Sequence, residues 1–384
     1  LIVLLVASLT LPLVPTIVFS FIALLIARLT ARFRKTNILN IILLFVVFLG
    51  IMYLSFSLNF GEANPLLNQE SFMSSIGAYY PPIKWFVGAV DDLNFGYLAL
   101  LLVTNAAVFT GFIFGVQKLV KSTNQRAMTK VTRKNGKAVV SKQRSLMSSI
   151  TAKEWKTFFN TPIYALNVGF GPVILFVLAI ASIFYADTIK TYLGGEMNIG
   201  VSFEIIVLII VGFVMSMIYS SAVSLSLEGK NFWILKSLPI KPKTIMYGKM
   251  LFNIILGLPV AIVSLIIFSY TFDITALTLL CMIVFTTSLS LVVSSLGSII
   301  NLFVPKFEYR NPAEVVKQSA AALFGLFGSW IILMLNGFLY WFVTKSLSSD
   351  IAILMMSMLN LILFTGMMIF IDRKTESLFI KFEV

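Results

Sequence analysis

Nine stretches of roughly twenty apolar residues run through this sequence, and a helix needs about 20 such residues to cross a bilayer's ~30 Å hydrocarbon layer. They are Leu9–Leu29, Ile38–Phe56, Phe95–Val116, Ile163–Tyr185, Val201–Leu225, Met246–Tyr270, Ala276–Leu302, Ser319–Val343 and Ile351–Ile371. Inside hydrocarbon the backbone groups must pair within the segment, so runs of this kind are helices and not open strands. The expected fold class is therefore all-α, a polytopic membrane protein. The composition agrees, with 59% hydrophobic and 12% charged residues in 384. A soluble domain lies nearer half apolar and a quarter charged. That excludes an ordinary water-soluble globule, a disordered tail and a disulfide scaffold. There is no histidine and one cysteine, Cys281. Imidazole acid–base chemistry, a Cys/His zinc site and an intrachain disulfide are thereby excluded.

The formal charge is +13, but its placement matters more than its size. The segments Arg28–Lys35, Lys118–Lys156, Glu228–Lys249, Lys306–Lys317 and the tail from Asp372 hold 26 of the 29 lysines and arginines, with 7 of the 16 acids. The alternate segments hold 3 basic and 9 acidic residues. Such asymmetry is the positive-inside signal. It sets the basic loops and the C-terminus in the cytoplasm, and Leu58–Asn94, with Glu62, Glu70, Asp91 and Asp92, outside. Within that external segment, Tyr79 to Phe86 carries aromatics suited to an interface. A re-entrant or surface helix and a structured loop both fit it.

The chain opens on Leu1, and Leu1–Ser8 is already apolar. No basic region precedes it, so it is not a signal peptide. It reads as the tail of an earlier span. Two stretches are alike: Ile17-Val18-Phe19-Ser20 running into Ala31-Arg32-Phe33, and Ile283-Val284-Phe285-Thr286 running into Asn301-Leu302-Phe303. Each is an inward-running span followed by two more. Six spans follow the long basic loop and three precede it. If the halves match, the whole protein has about 12 spans in two six-span halves, an organisation common among transporters.

The spans are electrically bare. Arg28, Glu204 and Lys249 lie near span ends, where long side chains snorkel to the headgroups. Ion-coupled transporters use carboxylates or histidines near the midplane, and these nine spans have none there. No hydrolase constellation is visible. Asn105, Asn167, Asn253, Asn336 and Asn360 are expected to bond between helices. Energy for any transport is expected to enter through the cytoplasmic loops.

Two of those loops stand out. In Ser149–Pro162, Ile150, Trp155, Phe158 and Phe159 recur at near-helical spacing with Lys153, Glu154 and Lys156 between them. This is a short amphipathic helix at the inner interface, ended by Pro162. In Ser226–Lys243, Gly229 permits a break, and Asn231 to Leu238 forms about two helical turns ended by Pro239. Cations beside Phe232, Trp233 and Leu235 suit docking into a protein groove. An interfacial loop that supplies positive charge fits as well. Lys118–Lys142 has eight basic residues and no acid. It reads as a solvated linker drawn to anionic lipid, with no folded surface for nucleic acid.

These segments also resemble a family. Lys153-Glu154-Trp155-Lys156 followed by Asn160-Thr161-Pro162-Ile163-Tyr164 resembles the connecting helix and first span of type-2 ATP-binding-cassette (ABC) permeases, in particular the large two-half permeases of Gram-positive bacteria. Ser226-Leu227-Glu228-Gly229-Lys230-Asn231 with Trp233 to Pro239 resembles their coupling loop. The resemblance implies two six-helix permease halves in tandem, the first N-terminally incomplete. Residues 1–116 would end the first half, with an external loop over 57–94. Residues 117–148 would be a basic cytoplasmic linker. Residues 149–384 would be the second half, with an elbow helix over 149–161 and a coupling loop over 226–245.

It further implies an exporter subunit of the plasma membrane that moves amphipathic or hydrophobic cargo. A separate cytosolic ABC ATPase, in two copies, would drive it. ATP and Mg would bind in that partner, and this chain would not be an enzyme and would carry no cofactor. It has no GxxxxGK[ST] loop. Glu228, Gly229, Lys230, Asn231, Trp233 and Lys236 would couple to the ATPase, with Lys153, Glu154, Trp155 and Lys156 in the elbow beside them. A non-transporting scaffold or sensor with basic loops is the competing reading. A secondary transporter is disfavoured by the bare midplane.

Overall fold

The computed structural model describes residues 2–10, 13–30, 36–60, 81–128, 145–191 and 202–382. Every regular element among them is helical. The chain is an all-α polytopic membrane protein. Seven helices are long and apolar enough to span a bilayer, and shorter apolar stretches, Thr16–Ile26 and Asn37–Tyr53, cover the other two runs. The chain divides into two compact units, Leu1–Val139 and Val140–Val384.

In the first unit, α1 (Ile2–Thr10), α2 (Leu13–Thr30), α3 (Thr36–Phe60), α4 (Pro82–Val90) and α5 (Phe95–Met128) follow in order. Helix α5 is the hub, touched by α1, α2 and α4. The described part of the Tyr79–Phe86 stretch, from Pro81 on, enters a helix, α4, opened by Pro82 at its first turn. Proline there costs little, because that N–H has no intrahelical partner anyway. Helix α5 runs past Val116 to Met128, so the basic stretch starts as a continuation of a span. The remainder of the linker expected to be solvated, 129–144, lies outside the described residues, as do 61–80.

The second unit holds α6 (Leu146–Asn160), α7 (Pro162–Phe184), α8 (Ala186–Thr191), α9 (Phe203–Ser216), α10 (Ser220–Val223), α11 (Phe232–Ser237), α12 (Pro242–Thr271), α13 (Ala276–Phe303), α14 (Pro312–Val316), α15 (Ala320–Val343) and α16 (Ser349–Lys381). The sequence supplies the starts. Pro162, Pro242 and Pro312 each open a helix, and the Ser145, Thr275 and Ser319 side chains cap theirs. A capping hydroxyl satisfies one of the orphan N–H groups of the first turn.

Helix α13 is central and packs along α16, α12, α9, α10 and α15. Its buried face sets small residues, among them Ser288, Ser290, Ser294, Ser295, Gly297 and Ser298, between larger apolar ones such as Phe285, Leu289 and Val292. In hydrocarbon no apolar driving force pulls helices together, so small residues that allow close approach supply the packing instead. At Gly297 a β-carbon would lie 2.3 Å from Ser221 Oγ. No larger residue fits that crossing.

The long run Val201–Leu225 is not one helix. α9 stops at Ser216, and α10 restarts at Ser220. Asn253 of α12 holds the restart: its Oδ1 accepts from Ser220 Oγ and from the Ser221 N–H at 3.3 Å. Broken spans survive where neighbouring helices satisfy the freed groups. The interhelical asparagines are thus Asn253, Asn336 and Asn360, the last two joined at 3.0 Å. Asn105 and Asn167 depart from expectation. Each donates to the carbonyl one turn back in its own helix, Leu101 and Ile163.

Candidate functional site

The two distinctive loops meet at the basic end of the second unit. The helix expected as an elbow, α6, begins three residues before the expected 149 and ends at Asn160, and Thr161 makes the joint to Pro162. Its amphipathic face turns toward protein: Ile150, Thr151, Glu154 and Phe158 are buried. Ile150 packs against Gly248 of α12. Thr151 Oγ1 donates to the Gly248 carbonyl at 3.1 Å. Trp155 meets Phe252 edge-on at 5.0 Å and stacks on Phe159 at 5.7 Å. Lys156 stays exposed.

The second loop forms a compact turn. A 3-10 segment, Ser226–Asn231, leads into α11. Gly229 breaks it with φ +54° and ψ −139°, a region that residues with a β-carbon rarely adopt. A β-carbon at Gly229 would also sit 3.0 Å from the Tyr309 ring. The Tyr309 hydroxyl donates to the Leu227 carbonyl at 2.8 Å. Burial, and then the nearby Glu228 carboxylate, push that phenol's pKa up. Asn301 grips the start of the turn. Its Oδ1 accepts from the Leu225 N–H at 2.8 Å and the Ser226 N–H at 3.3 Å, and its Nδ2 donates to Ser226 Oγ at 2.7 Å.

Helix α11 has two faces. Phe232 (0% exposed) and Leu235 point into a core with Ile245, Met246, Ile371 and Phe379. Phe232 stacks on Phe307 at 4.6 Å. Burying two such side chains contributes about 1.5–3 kcal/mol each, which is enough to seat a two-turn helix that would not form alone. On the other face Trp233 (57%), Ile234 and Leu238 are exposed, beside exposed Lys230, Asn231 and Lys236. Lys236 donates to the Phe382 carbonyl at 2.8 Å.

Between elbow and turn lies a buried ion cluster. Lys249 is 0% exposed, which corrects the expectation that it snorkels. Its ammonium donates to Glu154 Oε1 at 2.6 Å, Glu228 Oε1 at 2.9 Å and the Ser224 carbonyl at 2.9 Å. An ammonium has three donors, and all three are used. The other Glu228 oxygen pairs with Lys153. Two carboxylates and two ammonium groups make the cluster neutral. Burial pushes the Glu154 carboxyl's pKa up; Lys249 pulls it back, and Glu228 raises it again.

The residues expected at the coupling site therefore divide. Lys230, Asn231, Trp233 and Lys236 lie on the exposed side. Gly229 is buried and Glu228 turns inward to the lysines. Within the elbow, Lys153 and Glu154 join the same cluster, and Trp155 packs on α12. Sequence reasoning missed Lys249 and Asn301 as members. A signal was present: Ile245, Lys249, Phe252, Asn253 and Leu256 share one face of α12, the buried one.

Helices of spanning length and a basic end built on a buried ion cluster define the class: a multi-pass, all-α membrane protein. The family model described as membrane protein of 12 TMs matches residues 1–369, and the chain belongs to that family. Twelve is also the number that the repeat argument gives for a whole protein of two six-span halves. No curated protein and no solved structure matches the chain.

Proposed function

We propose that this chain is the permease subunit of an ATP-driven exporter of the type-2 ABC kind, worked by a separate cytosolic ATPase. One observation carries the reading. A two-turn helix, α11, is bolted to the bundle by Phe232 and Leu235, yet presents Trp233, Ile234 and Leu238 outward among lysines. A loop serving only as a hairpin has no need of such a face. Exposed aromatic and aliphatic anchors ringed by cations suit a concave acidic groove on a protein. Hydrolysis of ATP, with its Mg, belongs to that partner, bound in two copies. The basic end then faces the cytoplasm of a plasma-membrane protein.

Closure of the two ATPase subunits pulls the docked helices, and the half-bundles rock between inward- and outward-open states. Only a few kcal/mol of bias is needed to shift such an equilibrium. Apolar cargo, such as a peptide or lipid-like molecule, suits the bundle. A cavity of about 410 Å³ between α7 and α9 is lined by Phe170, Ile174, Leu178, Ile210, Phe213 and Met217. The test is purification of the chain from its native membrane, followed by ATP-dependent uptake of fluorescent hydrophobic peptide into inverted vesicles. Trp233→Ala with Lys236→Ala is expected to cut uptake roughly tenfold or more, as for loss of an interface hot spot. Uptake unchanged in that variant refutes the docking assignment.

A further inference from the structure

We infer that Lys249 pins the elbow helix to the docking turn, so that Leu146–Asn160 and Ser226–Ser237 move as one body. The inference rests on the docking reading above and adds to it the path by which a pull on α11 reaches the elbow. One ammonium on α12 holds an elbow carboxylate, a turn carboxylate and the carbonyl of Ser224 at the entry to the turn. Lys153 of the elbow binds the remaining oxygen of the same turn carboxylate. The elbow and the turn are thus cross-linked through Glu228 twice.

Stability alone does not account for this arrangement. Replacing a buried ion cluster by apolar residues of similar volume is often neutral or stabilising. What ionic contacts add is direction and register: an apolar contact tolerates sliding by an ångström, while a fully used ammonium does not. The surroundings fit that role. Ile150 on Gly248 and Trp155 on Phe252 fix the elbow to α12. Phe232 and Leu235 fix α11 to its own core. The ion cluster sits where these two packed bodies meet. Lys249 is a positioning residue: it acts through Glu228 and Glu154 and faces no exposed surface.

The experiment uses the full chain in lipid nanodiscs, with Cys281→Ser and spin labels at the exposed positions Lys156→Cys and Ser237→Cys. Electron–electron distance distributions are compared for the parent, for Lys249→Met, and for the neutral triple variant Glu154→Gln, Glu228→Gln, Lys249→Met. The parent is expected to give one narrow distance. Both variants are expected to broaden it about twofold or more, because hydrogen-bonded register is lost in each. The triple variant leaves no charge of the triad unpaired and is expected to melt closer to the parent temperature than Lys249→Met does. Should Lys249→Met fail to fold, the triple variant decides. A triple variant with the parent's narrow distance overturns the inference, since packing alone then holds the two elements. Failure of the docking reading shows elsewhere, as an unlabelled parent chain that purifies without an ATPase.

Discussion

The second unit is held together in two different ways at two different depths. At the basic end, charges meet charges: Lys249 with Glu154 and Glu228, and Lys153 with Glu228. Deeper in the bundle, amides and hydroxyls meet one another: Asn253 with Ser220, Asn336 with Asn360, and Asn360 with Ser288 at 3.4 Å. The neutral groups can change partner, and serines there also bond to their own helix, as Ser288 does to the Phe285 carbonyl. The buried ionic groups Lys249, Glu154 and Glu228 have no such fallback, because each buried charge needs its counter-charge. The difference teaches where the unit is free to shift and where it is fixed. The centre can repack at low cost, and the elbow–turn junction cannot.

Four substitutions test that contrast. Lys249→Ala strands the buried Glu154 carboxylate and leaves Glu228 with Lys153 alone, and is expected to cost about 3–5 kcal/mol, read as loss of folded chain in detergent-melting or urea unfolding. Gly229→Ala forces a β-carbon into a positive-φ site against the Tyr309 ring and is expected to cost about 1–3 kcal/mol. Its displacement of Trp233 is checked by a shift in tryptophan emission and in quenching by added iodide. Asn336→Leu, in the centre, is expected to cost only about 0.6 kcal/mol, the typical value for a polar pair within a membrane bundle. The oxygen of that amide already has no hydrogen-bond partner among the described residues. Lys153→Ala is expected to cost least, about 0.5 kcal/mol or below, and less still at high salt. Its side chain is 43% exposed and water competes for the pair. If Asn336→Leu proves as costly as Lys249→Ala, the contrast fails.

Much of this was legible in the sequence, for identifiable reasons. Spanning runs are long and carry charge only near their ends, and a helix satisfies their backbone within the segment, so all nine correspond to helices or shorter apolar helical stretches. Pro162 and Gly229 act through their own backbones and needed no partner to be read. The break in Val201–Leu225 was hidden, since it is enabled by Asn253, thirty residues on. Lys249 was misread for a related reason, although its place on one face with Ile245, Phe252 and Leu256 was a signal. A lysine near a span end snorkels by default, and only the two glutamates from distant segments make burial affordable. The exposed face of α11 was half legible: apolar and cationic residues side by side in Phe232–Leu238 announce a two-sided helix, but a two-turn helix does not declare which side faces the core.

Photo-cross-linking tests the account's central claim most directly. A benzophenone amino acid is placed singly at Phe232, Trp233, Ile234, Leu235 and Leu238 of the full chain, and native membranes are irradiated. Products that join an ATPase subunit at 233, 234 and 238, with none at the buried 232 and 235, are the predicted result. Adducts to lipid alone at the three exposed positions would contradict it.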